Sequence, residues 1–306
     1  MSVLITGGSG MVGRAVLAKA HARALPVLAP RRTELDLLDK ASVDGWFARN
    51  RVDAVVHLAA KVGGIQANIR APLDFYLENT LINTHLIDGA YRAGVPRLIY
   101  LGSSCMYPRD RDGTLAEADI LTGPLEQTNE GYAIAKISGA KHCEYLARQA
   151  NVQYRTLIPP NLYGPHDNFT PERSHLVPAI IAKLVKAHRD GSNCVDIWGD
   201  GEVRREFLFV DDLADYIVDL LIGGRDIPQY LNVGLGRDYS VNAYYEAAAK
   251  VVGYTGGFVH NLSRPVGMRR KLLDMSLASQ HGWRPRTSLE DGLRQALAFY
   301  LETLSS

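Results

Sequence analysis

The chain predicts an α/β fold, a Rossmann-type doubly wound parallel sheet with a smaller C-terminal α/β substrate lobe. Three observations predict it. Short apolar runs alternate with amphipathic stretches through the first half. The first run feeds a glycine-rich turn, Gly7-Gly8-Ser9-Gly10-Met11-Val12-Gly13, which opens a helix. Later runs end in small or polar residues, as at Ala59-Ala60 and Ser103-Ser104, where ligands of such sheets gather.

The elements follow in order. Val3–Ile5 is a strand and Val12–Ala22 a helix; Pro26–Ala29 is a second strand, and Val43–Arg49 is helical. Ala54–Leu58 is a buried strand, Asn79–Ala93 a helix and Arg97–Leu101 the next strand. Tyr132–Ala150 is a long helix before strand Tyr154–Ile158. This rhythm is that of successive βαβ units. The second half is less regular. It offers helices at Leu176–His188, Asp212–Leu221, Asn242–Val252 and Leu289–Leu304, and strands at Glu206–Val210 and Tyr230–Val233. Gly253–Gly257 stops a helix, and Ser263–Lys271 reads as a basic loop. The expected division gives 1–164 plus about 206–240 to the dinucleotide domain, and 165–205 plus about 241–306 to the second lobe.

With 306 residues, the chain can bury a large core. A formal net charge of +1 with mixed signs gives nucleic acid no electrostatic footing. The three cysteines, Cys105, Cys143 and Cys194, are odd in number and irregular in spacing. They suggest neither a disulfide framework nor zinc, and they suit a reducing cytoplasm; Cys143 and Cys194 read as structural. No secretory signal is expected, because Met1-Ser2 leads directly into a strand. No apolar run reaches membrane-spanning length, so no membrane partner is expected.

Gly7, Gly10 and Gly13 sit between a strand and a helix, with Met11 and Val12 opening that helix. The turn lets backbone approach a pyrophosphate, and the helix N-terminus attracts the anion. NAD sites usually place an acid at the end of the second strand, where this chain has Arg31-Arg32. Two guanidiniums suit a 2′-phosphate, so NADP(H) is the expected cofactor. Asp36-Leu37 then falls near adenine, while Ala59-Ala60 and Asn161-Leu162 end strands that flank the dinucleotide. Tyr132 and Lys136 stand four apart on one helix face. An ammonium beside a phenol favours phenolate, so the tyrosine is expected to exchange a proton near working pH. With Ser103, this set points to carbonyl reduction by a nicotinamide.

The same residues carry a family resemblance. The segments are Leu58-Ala-Ala-Lys-Val-Gly-Gly64, Leu101-Gly-Ser-Ser-Cys-Met-Tyr-Pro108, Tyr132-Ala-Ile-Ala-Lys136 and Asn161-Leu-Tyr-Gly-Pro-His-Asp-Asn-Phe169. Ser174-His-Leu-Val-Pro178, Trp198-Gly-Asp-Gly201, Arg205-Glu-Phe207 and Lys271-Leu-Leu-Asp274 continue it. Nearly end to end, the chain resembles the extended short-chain dehydrogenase/reductases, and among them the GDP-L-fucose synthase family. The resemblance implies C3/C5 epimerisation of a GDP-linked 4-keto-6-deoxy sugar, then C4 reduction by NADPH. It makes Ser103, Tyr132 and Lys136 the carbonyl-polarising set, Cys105 the base and His175 the acid. Leu101, Gly102, Ser103, Lys136, Pro159, Asn161, Leu162 and His175 would also face the cofactor. Ser104, Asn161, Lys183, Trp198, Arg205, Val266 and Lys271 would face the sugar nucleotide. Family members form dimers through helices beside the sheet, so a homodimer through Asn79–Ala93 and Tyr132–Ala150 is expected.

One segment departs from the pattern. Pro265-Val266-Gly267-Met268-Arg269 stands where relatives commonly read Pro-Asp-Gly-Thr-Pro, so an acceptor is lost at Val266. Pro160 likewise replaces a common threonine. A lost hydrogen-bond partner can redirect recognition, which leaves open a 4-keto-6-deoxy-heptose or a colitose precursor as substrate. Partial or absent epimerisation is a further alternative, and a non-catalytic NADP-binding sensor is the alternative from another class. The Ser103–Tyr132–Lys136 set argues against the sensor.

Overall fold

A computed structural model describes residues 1–111, 113–170, 174–263 and 269–305. Its elements in chain order are β1 (Val3–Thr6), α1 (Met11–Ala22), β2 (Val27–Leu28), α2 (Lys40–Arg49), β3 (Ala54–His57), α3 (Ile65–Arg70), α4 (Pro72–Arg92) and β4 (Arg97–Leu101). Then come α5 (Glu130–Ala150), β5 (Gln153–Ile158), β6 (Asn161–Tyr163), α6 (Leu176–Arg189), β7 (Cys194–Trp198), β8 (Arg204–Arg205) and β9 (Phe207–Phe209). The chain continues through α7 (Val210–Gly223), β10 (Tyr230–Asn232), β11 (Tyr239–Ser240), α8 (Val241–Val252), β12 (Gly257–Asn261), β13 (Arg270–Lys271), α9 (Ser276–Gln280) and α10 (Leu289–Ser305).

Six strands form one parallel sheet in the order β10-β5-β4-β3-β1-β2. Its central strands are buried on both faces, and their continuous apolar runs match that environment. One face packs on α1 and α7 through Val16, Leu213, Ile217 and Leu221. The other packs on α2, α4 and α5 through Phe47, Leu86, Ile87 and Ile137. A third cluster joins α6, α8 and α10 around Ile181, Leu184, Tyr244 and Leu293. This is the core of the second lobe. Its strands are short: a three-stranded sheet in the order β11-β8-β13, and the pairs β12-β7 and β6-β9.

The sequence expectation found the long elements and missed several short ones. Helix α4 begins at Pro72 rather than near Asn79, because proline is well placed in a first helical turn. Strands β8 and β13 carry too few residues to show a period and exist through their partners, while β7 alternates buried and exposed residues over five positions and was passed over. α9 and Trp283 return to the first core cluster, so the C-terminal segment serves both lobes. Among the described residues, no helix is long and apolar enough to cross a membrane, and no cluster of potential metal ligands occurs.

Candidate active site

The glycine turn is fixed by close backbone approach. Gly7 has φ +71°, and a Cβ there would lie 2.8 Å from the Ala59 amide nitrogen. A Cβ on Gly13 would lie 2.1 Å from the Gly7 carbonyl oxygen, so the first turn of α1 packs on the loop without a side chain. Gly10 N donates to Gly7 O at 3.0 Å and closes the turn ahead of Met11 and Val12. No side chain caps α1, which leaves its N-terminal amides for an anion. This cradle fits a dinucleotide pyrophosphate. Arg31 and Arg32 follow β2 on the surface, where Glu34 accepts from Arg31 N (2.8 Å) and Arg32 pairs with Asp36 at 3.5 Å. Asp36 also accepts from Leu38 N (3.0 Å), and Leu37 is buried with its carbonyl 3.0 Å from His85 Nδ1.

Beneath the turn runs a buried polar chain. Thr6 Oγ1 lies 2.9 Å from His57 Nδ1, and His57 Nε2 lies 3.1 Å from Asn83 Oδ1. Asn83 Nδ2 donates to Ala135 O at 3.0 Å. Burial holds the imidazole pKa at about 3, so His57 is neutral. Nε2 then carries the proton given to Asn83, and Nδ1 accepts from the Thr6 hydroxyl. Thr6 Oγ1 in turn accepts from Leu58 N (3.2 Å) and Ala59 N (3.3 Å). The glycine-turn strand is thus tied to α5 one residue before Lys136. Sequence reasoning passed over His57 and Asn83, since a histidine in an apolar strand carries no visible partner.

At the end of β4, Gly102 N donates to Leu157 O (2.8 Å) and Ser104 N to Pro159 O (3.0 Å), which turns the chain across β5. Ser103 caps a short 3-10 turn at Ser104–Met106, its Oγ accepting from Cys105 N at 3.3 Å. The Ser103 hydroxyl also acts on the Cys105 side chain, where a hydrogen bond from it favours the thiolate. Ser104 and Cys105 are buried. Lys136 is 3% exposed; its Nζ donates to Leu101 O at 2.8 Å and lies 4.9 Å and 5.8 Å from the ring centroids of Tyr100 and Tyr132. Burial brings the Lys136 ammonium down to about 8. Tyr132 corrects an expectation. Burial, reinforced by Cys105, pushes its phenol pKa up, and it remains a proton donor rather than a resting phenolate.

Burial pushes the Cys105 thiol up against the charges of Lys271 and Lys136. His175 precedes α6 as its N-terminal cap residue, in an extended conformation. The residue is exposed, yet the protein around its ring holds its pKa below the ordinary imidazole value. Pro159 is buried, while Asn161 and Leu162 lie half-buried on β6.

The sugar-side candidates sit on the short strands. Arg205 and Lys271 are register partners on β8 and β13. Trp198 ends β7 with 52% of its surface exposed. Lys183 Nζ lies 2.6 Å from Asp196 Oδ1 and also bonds Asp196 O, so its charge is already paired. Val266 lies outside the described residues, as does most of the Ser263–Lys271 loop. Sequence reasoning also missed Glu206, Asn232 and Asp238. These buried polar groups organise the short strands, and their partners lie far away in the chain.

Comparison with known proteins agrees with this geometry. Residues 3–234 match the model of the NAD dependent epimerase/dehydratase family. The chain is 48% identical over 299 residues to a GDP-L-fucose synthase of Azorhizobium caulinodans, covering 98% of this chain and 96% of the relative. It is 46% identical over 302 residues to a GDP-L-colitose synthase of Yersinia pseudotuberculosis, covering 98% of each. A GDP-D-glycero-L-gluco-heptose synthase of Campylobacter jejuni, solved in the presence of NADPH, superposes with a TM-score of 0.89 at 28% identity, covering 98% of both chains. The family match takes in the cofactor turn, the Ser103 turn and the Tyr132–Lys136 helix alike, and the chain belongs to the NAD dependent epimerase/dehydratase family.

Proposed function

We propose that this chain is an NADPH-dependent epimerase/reductase of the GDP-L-fucose synthase type. It acts on a GDP-linked 4-keto-6-deoxy sugar, epimerising C3 and C5 and reducing C4. The observation that carries this reading is the buried turn at Ser103–Cys105 beside Tyr132 and Lys136, in a chain nearly half identical to a GDP-L-fucose synthase over its length. The cradle of Gly7, Gly10 and Gly13, with Arg31 and Arg32 beyond it, fits NADP(H). When bound, that group supplies hydride to C4.

Removing a proton next to the ketone leaves negative charge on the C4 oxygen. Ser103 Oγ–H and the Tyr132 phenol donate to that oxygen, and the Lys136 ammonium raises the local positive potential. A base takes the proton from C3 or C5, and an acid returns one to the opposite face. Cys105 and His175 fill these roles, Cys105 as base and His175 as acid. Burial favours the Cys105 thiol, and the protein around the exposed His175 ring favours its neutral form. Cys105 therefore needs neighbouring cations before it can accept a proton. After epimerisation Tyr132 protonates O4. Arg205, with Lys183 and Trp198 at the lobe edge, would hold the GDP moiety, and Lys271 on the adjacent strand would face the sugar. A second copy would pack across α4 and α5, whose Leu73, Leu77, Tyr91, Ile134 and Tyr145 are exposed.

The test is NADPH oxidation in deuterated water with GDP-4-keto-6-deoxy-mannose, followed by NMR of the product. Deuterium at C3 and C5 in an L-sugar is expected; reduction without deuterium would leave a C4 reductase. The 46% identity to a GDP-L-colitose synthase and the Val266 departure favour a second reading, a trideoxy 4-keto substrate. Turnover of that compound, with none of the 6-deoxy-mannose derivative, would select it.

A further inference from the structure

Strand alternation sorts four cations of the second lobe into two pairs. Arg204 faces Arg270 across β8 and β13, and Arg205 faces Lys271. Successive side chains point to opposite faces of a strand. The first pair is consumed: Arg204 Nε and Arg270 Nε donate to the two oxygens of Asp238 at 3.0 Å and 2.5 Å. The second pair points the other way. There burial pulls the Lys271 ammonium below its ordinary value, while Cys105 and Glu126 favour its charge against Arg205.

A two-residue strand cannot hold a lysine in place alone. Two buried side chains do so here. Glu206 is 2% exposed and accepts three backbone amides, Leu273 N on Oε2 (2.9 Å), Gly236 N on Oε1 (2.8 Å) and Leu235 N. Asn232 is fully buried and fully bonded. Its Oδ1 accepts from Tyr107 Oη–H at 2.6 Å, and its Nδ2 donates to Leu115 O (2.9 Å) and Asp274 O (3.1 Å). Its backbone N donates to Glu117 Oε1 at 2.8 Å. Leu115 also bridges Leu273, donating to Leu272 O and accepting from Asp274 N. Tyr107 lies two residues after Cys105, and Leu273 two residues after Lys271. Leu273, Leu115, Tyr107 and Cys105 share one apolar cluster.

We propose that Glu206 and Asn232 are positioning residues that lock the Lys271–Asp274 segment onto the Ser103–Tyr107 turn and so hold the Lys271 ammonium where it sustains the Cys105 thiolate. The use of that thiolate in removing the C3 or C5 proton rests on the epimerase reading above. The other groups bearing on Cys105 are the Ser103 hydroxyl on its own turn, Lys136 and Tyr132 of α5 and Tyr100 of β4. Lys136 has its own anchor at Leu101 O, so Lys271 is the cation whose place depends on this junction.

Thiolate ultraviolet absorbance, titrated in the full-length protein and in Cys105→Ser as the blank, tests the proposal without any sugar. Lys271→Met should raise the Cys105 midpoint by about one pH unit or more, and Lys271→Arg should restore much of it. Glu206→Gln should raise it in the same direction. Tyr107→Phe, which removes one bond to Asn232 and keeps the ring, should give a smaller rise and serves if Glu206→Gln does not fold. A purely structural Glu206 would change thermal stability and leave the midpoint alone. An unmoved midpoint in Lys271→Met, or in both folded Glu206→Gln and Tyr107→Phe, overturns the proposal. Deuterium uptake at C3 and C5 is then read separately. Shifted midpoints with no uptake by the unsubstituted enzyme support the lock and overturn the epimerase reading instead.

Discussion

The reducing end of the site and the recognising end are built by different means. Ser103, Tyr132 and Lys136 stand on the end of a buried five-residue strand and on a 21-residue helix in the main sheet domain. Arg205 and Lys271 stand on strands of two residues each, paired across more than sixty positions of sequence. Apolar burial on both faces of the sheet fixes the first region. The second is fixed by buried carboxyl groups, Asp238 between two arginines and Glu206 on three amides, where burial still raises the Glu206 pKa to about 7. On the proposed reading, the chemistry would rest on packing and recognition on a polar scaffold that a few substitutions could re-aim.

The largest expected effect would come from the first region. Tyr132→Phe should lower NADPH oxidation by about 10²–10⁴-fold with cofactor affinity unchanged, because it removes the proton donor and keeps the ring. Undiminished turnover in a stopped-flow assay would end the Tyr132 assignment. The same region has a pH signature. Lys136, brought down to about 8, is charged below that pH and neutral above it. The reduction rate should therefore be flat below about pH 8 and fall above it. Lys136→Arg, which stays charged, should move that limb upward.

Next comes the cofactor's far end. Replacing Arg31 and Arg32 together by alanine should weaken NADPH about 10–100-fold and leave NADH nearly unchanged, since one charge-assisted bond to a 2′-phosphate is worth about 1.5–3 kcal/mol and the exposure of both arginines holds the pair near the value of a single such bond. Equal loss for both cofactors would place the phosphate elsewhere. In the second region Asp238→Asn should cost about 1–2 kcal/mol of stability, kept low because both arginines are half-exposed. Burial favours the protonated Asp238 carboxyl, but Arg270 and Arg204 outweigh it and hold its pKa below the usual value. The ionised carboxylate is therefore stabilising above the unfolded value. That contribution is lost as pH falls through the folded one, so the gap between the two proteins should close in acid. Urea unfolding at neutral and acid pH would show it.

The two regions also differed in how far the sequence exposed them. The glycine turn, the Ser103 turn and the Tyr132–Lys136 pair are local patterns, each readable within seven residues, and the sheet followed from runs buried on both faces. The strands β8, β11 and β13 have no period to read. Arg204-Arg205 ahead of the strand expected at Glu206–Val210 shows nothing of the partners that fix it, since Asp238 and Leu273 arrive from far along the chain. Tyr132 was misjudged for a related reason. Spacing showed the nearby ammonium, but only the fold showed that burial outweighs it. His57 and Asn83 were invisible because their partners, Thr6 and Ala135, lie about fifty residues away.

The smallest effect is expected at Lys183, which sharpens the comparison from within the second region. Read from sequence, Lys183 is a helix cation placed to neutralise a diphosphate. In the structure it already spends its charge on Asp196, close to Trp198. A diphosphate must compete with that carboxylate, so the net gain from Lys183 is the difference between two ion pairs. Both lie near the surface, where such pairs are worth about 0.2–1 kcal/mol. Lys183→Ala should therefore raise the sugar-nucleotide KM only about two- to fivefold. Asp196→Asn, which releases the lysine, should lower it. A Lys183→Ala penalty as large as that of Arg205→Ala would mean that the pair opens fully on binding and that Asp196 acts as a latch on the ligand-free lobe.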